Sequence, residues 1–154
     1  MRRKKRPPVL IGITIIMVLC FSFLFISMDF NPPEQSAKET VDKFYSHEQE
    51  GNFAESWNLF HPLMKEKWNK STYLQDRVHV FIGHFGAETF KYHIKEIGKL
   101  KDWRITKETP SEKEAYKFQV TQTYKGKYGK FSFEQEVYVI NNKGKWQIAW
   151  DYNE

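Results

Sequence analysis

Glu88-Thr89-Phe90-Lys91-Tyr92-His93-Ile94-Lys95-Glu96-Ile97-Gly98 decides how this chain folds. Phe90, Tyr92 and Ile94 fall on every second position, with Lys91, His93 and Lys95 between them. That is the period of a β-strand with one buried face. The phase breaks at Glu96-Ile97-Gly98, which predicts a bulge or bend. The period of two then continues toward the C-terminus. Trp103 and Ile105 mark a second strand. Tyr116, Phe118, Val120 and Tyr124 alternate with Lys117, Gln119, Thr121 and Thr123 on a third. Phe131, Phe133, Val137 and Val139 form one face of a fourth. Trp146, Ile148, Trp150 and Tyr152 form one face of a fifth. The glycine-bearing turns at 125–130 and 141–144 join neighbouring strands as hairpins, which predicts an antiparallel sheet.

Before Glu88 the period is that of a helix. Ser36 and Glu39 have capping-box spacing, and Ala37, Val41, Phe44 and Tyr45 follow as an apolar stripe. Gly51 suits the end of that helix. Asn52 and Glu55 can open a second helix that buries Phe53, Trp57 and Phe60. It stops near His61-Pro62, where a histidine cation would suit a helix C-terminus. Residues 63–69 read as a short helical turn with Leu63 and Trp68 inward. Thr72 and Gln75 form a third capping pair, before a stripe of Leu74, Val78, Phe81, Ile82 and Phe85. Helices followed by a strand meander define an α+β domain.

The N-terminus carries the topology. Residues 2–6 read RRKKR, and residues 9–28 contain no charge. At about 1.5 Å rise per residue, such a run spans a bilayer core of roughly 30 Å. The cations before it and Asp29 after it place the N-terminus in the cytoplasm. The run is longer than the apolar core of a signal peptide and lacks a small-x-small cleavage site, so it reads as an uncleaved signal anchor. Cys20 follows Leu19 and so lacks the small preceding residue of a lipid-modified cysteine. The expected organisation is a cytoplasmic basic tail (1–8), a transmembrane anchor (9–28), a Pro-containing stalk (29–35) and an extracytoplasmic domain (36–154).

The chain has 24 Lys and Arg against 19 Asp and Glu. The first 28 residues hold five of the cations and no acid, which leaves the rest with 19 of each. The outer domain is therefore formally neutral, which argues against nucleic acid as a partner. Lys125, Lys127 and Lys130 read as a solvated hairpin tip. Cys20 is the only cysteine, so the outer domain has no disulfide and no thiolate zinc site.

The order of elements and the ending KWQIAWD, residues 145–151, resemble the nuclear transport factor 2-like superfamily, which is cystatin-like and cone-shaped. The likeness is to the N-terminal domain that precedes the transpeptidase domain of some penicillin-binding proteins. Phe44-Tyr45 and Glu50-Gly51-Asn52-Phe53-Ala54-Glu55-Ser56-Trp57 are similar to the helical entrance of such domains. The resemblance covers residues 36 to 152. It implies helices packed on a curved antiparallel sheet, and a fold that serves binding domains and small isomerases or dehydratases alike. It also implies dimerisation through the exposed sheet face as an expectation.

Catalysis in such a cone needs an acid or base facing an apolar pocket. Asp76 and His79 are weak candidates, because the predicted stripe turns them toward solvent. No nucleophile elbow, phosphate loop or metal-ligand spacing is present, and no cofactor is expected. The aromatic content, 17%, is high enough to raise the question of a pocket. Trp57, Tyr73, Tyr116, Trp150 and Tyr152 are the candidate ligand-binding residues, with core filling as the alternative for the sheet aromatics. The expected function is a membrane-anchored, non-catalytic binding module of the cell envelope, for a partner protein or a small ligand. The alternative is an isomerase or dehydratase that uses an Asp or His base within the cone.

Overall fold

A computed structural model describes Met17, residues 31–84 and residues 86–151. Helix α1 spans Pro33–Gln49. Pro33 has a backbone suited to a first helical turn and no N–H to leave unsatisfied there, and Glu34 favours the positive end of the helix. The helix thus begins three residues before the expected capping box. Ser36 lies inside it, and its carbonyl accepts from the Thr40 hydroxyl at 2.9 Å. Gly51 ends the helix as expected, with φ of 74°. The Asn52 N–H donates to the His47 carbonyl at 2.8 Å and the Gly51 N–H to that of Glu48 at 3.2 Å, the paired bonds of a Schellman cap. The buried stripe is Ala37, Val41, Phe44, Tyr45 and Glu48.

Three short helices follow: α2 Phe53–Asn58, α3 Pro62–Lys67 and α4 Lys70–Arg77. Their caps correct the sequence reading. Asn52 precedes α2, but its side chain donates to Glu50 at 2.9 Å instead of capping. His61 opens α3, and its Nδ1 accepts from the Leu63 N–H at 3.3 Å. It is therefore an N-cap whose ring nitrogen accepts, not a residue at a helix C-terminus, because Pro62 starts a new helix immediately. Asn69, a stronger capping residue than Thr72, opens α4 by accepting from the Thr72 N–H at 3.0 Å. Tyr73 is buried and Arg77 reaches the buried Glu48. Leu74 is half-buried and Val78 is 46% exposed, so the predicted stripe does not form there. A π-helical segment, Val78–His84, continues the chain. The Phe81 and Ile82 side chains, Phe85 and Tyr152 lie outside the described residues.

Among the described residues the sheet has four antiparallel strands in the order β1-β2-β3-β4: Phe90–Trp103, Glu112–Gly126, Gly129–Asn142 and Lys145–Ala149. The expected bend appears as a register shift between Glu96 and Gly98, with Gly98 at φ of 145°. The bulge absorbs the phase change without ending the ladder, and Trp103 still pairs with Glu112. The first two predicted strands are thus one, and the sheet has four strands instead of five. Ile105 is buried in the connection beyond it.

Helix α1 lies across one face of this curved sheet and touches all four strands. Tyr116, Val139 and Ile148 form one cross-strand row, and Phe118 pairs with Val137. All five are buried. Leu59 to His61 shield the β4 edge: the Ile148 N–H donates to the Leu59 carbonyl at 2.9 Å, and the His61 N–H donates to the Ile148 carbonyl at 2.8 Å. Trp103 stacks on Tyr138 at 4.2 Å and covers part of the other face. Among the described residues no helix is long and apolar enough to cross a membrane. The proposed anchor, 9–28, falls outside them apart from Met17.

Candidate functional site: a buried ion pair behind an open cleft

The stripe of α1 continues from Phe44 and Tyr45 to Glu48, one helical turn further on, so a carboxylate is carried into the core. Glu48 is 2% exposed. The Ser56 hydroxyl of α2 and the Tyr73 hydroxyl of α4 both donate to its Oε1, the latter at 2.7 Å. Arg77, one turn beyond Tyr73, ion-pairs with Oε2. One carboxylate thereby ties three helices together. Burial works against the Arg77 charge, but Glu48 outweighs it and holds the guanidinium above its ordinary pKa. Burial, reinforced by Glu48, pushes the Tyr73 phenol well up. Arg77 also reaches the Tyr124 hydroxyl of β2, which donates to the buried Gln122 at 2.9 Å. On the same sheet face Tyr45 donates to Gln135 at 3.0 Å. Such a network is stabilising only because its members satisfy one another.

A small void borders Glu48, Phe53, Arg77 and Tyr124, with Thr89 and Phe90 on its far side. Thr89, Phe90 and Tyr124 also line a second, open cleft of about 710 Å³. Its other lining residues are Gln49, Lys91, Thr123, Lys125, Gly129 and Lys130. Gln49 holds the rim by donating to the Phe90 carbonyl at 2.6 Å, and the Thr89 hydroxyl donates to the Gln49 carbonyl at 3.0 Å. Lys125 and Lys130 are direct cross-strand partners, and Lys91 pairs with Thr123 on the same face. Like charges placed opposite one another destabilise a hairpin. Among the described residues, the ion pairs engage Arg77, Lys99 and Lys117 and none of these three lysines.

The four described residues among the five predicted ligand-binding ones do not line one cleft. Tyr73 and Trp150 meet around Phe60, at ring distances of 5.3 and 4.8 Å. Trp150 also packs on Phe44 at 5.9 Å and Trp68 at 5.4 Å, so it closes the core. Trp57 donates its indole N–H to the Trp68 carbonyl at 2.8 Å, with the Lys65 and Lys70 ammoniums over its ring. Tyr116 packs edge-on against Trp146 at 5.7 Å and donates to Glu114 at 2.7 Å. Tyr152 lies outside the described residues.

Asp76 and His79 are exposed, as the sequence predicts, and no contact links them. His79 instead meets His84, with 2.8 Å between their Nε2 atoms. No group of three or more His, Cys, Asp or Glu is poised to hold a metal among the described residues. Sequence reasoning missed Glu48, Ser56 and Arg77. The signal for Glu48 was its place on the α1 stripe, and for Arg77 its spacing of four from Tyr73. No protein-family model and no curated protein sequence matches this chain.

Proposed function

We propose that this chain is a membrane-anchored binding protein of the cell envelope. Its outer domain would be a nuclear transport factor 2-like cone that takes a small anionic ligand in the cleft beside Phe90 and Tyr124. The cleft is the observation that carries the proposal. Its volume of about 710 Å³ falls in the range of roughly 300–1,000 Å³ usual for small-molecule sites. Lys91, Lys125 and Lys130, which project from the sheet face opposite the Phe90 and Tyr124 rings, border the cleft and would supply a positive field there, and an anion at that border would relieve the repulsion between the two paired lysines. Binding is favoured over turnover because the buried carboxylate is engaged by Arg77, Tyr73 and Ser56 instead of facing the cleft. The anchor and its orientation rest on RRKKR and the uncharged run at 9–28.

The test uses the full chain in detergent micelles and calorimetric titration with phenyl phosphate, with phenyl glucoside as the uncharged control. Binding of the phosphate alone, weakened at least about tenfold by Lys125→Glu with Lys130→Glu, is the expected result (about 1.4 kcal/mol or more). Equal binding of both compounds, or of neither, would overturn the anionic-ligand proposal. Protease added outside intact cells should remove the outer domain, and full protection would overturn the orientation.

A further inference from the structure

His79 and His84 lie five residues apart in the π-helical segment Val78–His84. In an α-helix, residues five apart point in directions about 140° apart, given 3.6 residues per turn. The wider π turn, closed by i→i+5 bonds, brings them to one side. π-Helices are rare, well under about 1% of residues, and concentrate at functional sites. The two imidazoles meet at their Nε2 atoms, 2.8 Å apart, with ring planes at 88°. Both residues are exposed. Gly83 lies beneath the His79 ring: a Cβ there would be 3.9 Å from His79 Nδ1.

The distances are informative. A collinear N–H···N bond of this length would separate the ring centroids by about 5.1 Å, with some 1.15 Å from centroid to nitrogen in each ring. The observed separation is 4.4 Å, so the ring axes are inclined to the line joining the nitrogens. A metal ion bonded to both Nε2 atoms at about 2.0 Å, with about 90° between the bonds, would set the nitrogens about 2.8 Å and the centroids about 4.5 Å apart. A tetrahedral angle would need about 3.3 Å between the nitrogens. The geometry points to a binding site for a tetragonal or octahedral late transition-metal ion, Cu(II) or Ni(II), held by His79 and His84 in adjacent coordination positions. Imidazole suits these ions, and such N and O surroundings favour Cu(II) most strongly. Water would complete the coordination sphere of an exposed two-histidine site.

The full chain in detergent micelles is titrated with CuCl₂ and with NiCl₂, and binding is followed by calorimetry and by electron paramagnetic resonance of the copper form. The expected result is one site whose copper spectrum carries coupling to two imidazole nitrogens. His79→Gln and His84→Gln should each weaken it about tenfold or more, since even outer-shell changes cost metal sites about 10–100-fold. His93→Gln, which alters another exposed histidine, should leave it unchanged. ZnCl₂ should bind more weakly than CuCl₂. A copper site with no imidazole coupling, or one equally strong in His79→Gln, would show that the two rings only hydrogen-bond each other and would overturn the proposal. Circular dichroism of each variant separates loss of a ligand from loss of the fold.

Discussion

Replacing Arg77 by Met should cost this domain a large part of its stability. The Glu48 side chain is fully buried, and that of Arg77 is 17% exposed. Met keeps most of the aliphatic stem and removes the charge. It strands Glu48 with only the Ser56 and Tyr73 hydroxyls as donors. Breaking one partner from a buried ion pair costs about 3–5 kcal/mol, against net stabilities of about 5–15 kcal/mol for whole domains. For a domain of this size, that lowers Tm by roughly 10–20 °C. The double variant Glu48→Gln with Arg77→Met should recover most of the loss. Gln can still accept from both hydroxyls, and no unpaired charge remains. A coupling energy of at least about 2 kcal/mol is expected, as for residues that share one network. Urea titration of the full chain in micelles, followed by tryptophan fluorescence, gives the midpoint and the slope for wild type, Arg77→Met, Glu48→Gln and the double variant. Lys117→Met is the surface control. It breaks the 2.6 Å pair with Glu136, whose side chain is 55% exposed, and should cost no more than about 1 kcal/mol. If Arg77→Met cost as little as this control, or if the two core substitutions were simply additive, the ion pair would not be the tie between helices argued above.

Gly51→Ala meets no atom within 4 Å but must adopt a φ of 74°, so it should lower stability by about 1–2 kcal/mol through backbone strain alone; urea midpoints measure this. Burial lowers the His61 pKa below its ordinary 6.5 despite the opposing pull of Glu66. A histidine depressed in the folded state contributes stability above pH 6.5 that is lost as pH falls below it. His61→Asn keeps a capping acceptor and removes the titration, so its midpoint should vary less than wild type between about pH 7 and 5. At the alkaline end, burial raises the phenols of Tyr45, Tyr73 and Tyr124, and burial with the Asp42 hydrogen bond pushes Tyr92 up to about 12. Raised phenols stabilise the fold below their unfolded pKa of about 10, and that stability is lost as pH climbs past it. Ionisation of Tyr45, Tyr73 and Tyr124 should therefore come only with unfolding, and their titration in a chain that stays folded by circular dichroism would contradict this.

The apolar periods carried most of the fold. Val41, Phe44 and Tyr45 are buried on α1 as their spacing predicts, and the phase break at Glu96-Ile97-Gly98 is a real bulge. The strand count failed at the same place, because a shifted hydrophobic phase looks alike whether a ladder bends or ends. Only the partner strand distinguishes them, and Glu112 opposite Trp103 lies nine residues away in sequence. The N-caps failed for a related reason, although the Gly51 C-cap formed as expected. Ser36, Asn52 and Thr72 each have the right spacing for a cap, but capping is a local competition, and Pro33, Glu50 and Asn69 decide it from neighbouring positions.

The polar interior was hardest to see, and this bears directly on function. A pattern of apolar residues treats Glu48 and Arg77 as gaps, since charged groups are almost never fully buried unless paired. The pairing that permits their burial joins two helices 29 positions apart, and no single-segment pattern contains it. The candidate ligand residues are ambiguous for the converse reason. Aromatic side chains fit both pockets and cores, and Tyr73, Tyr116 and Trp150 each found ring or carboxylate partners inside the domain. The residues that line the open cleft include Phe90, Tyr124 and three lysines, and no tryptophan. The turn at Lys125 to Lys130 reads in isolation as a solvated tip, and it becomes a wall only when β1 sets Lys91 and Phe90 beside it.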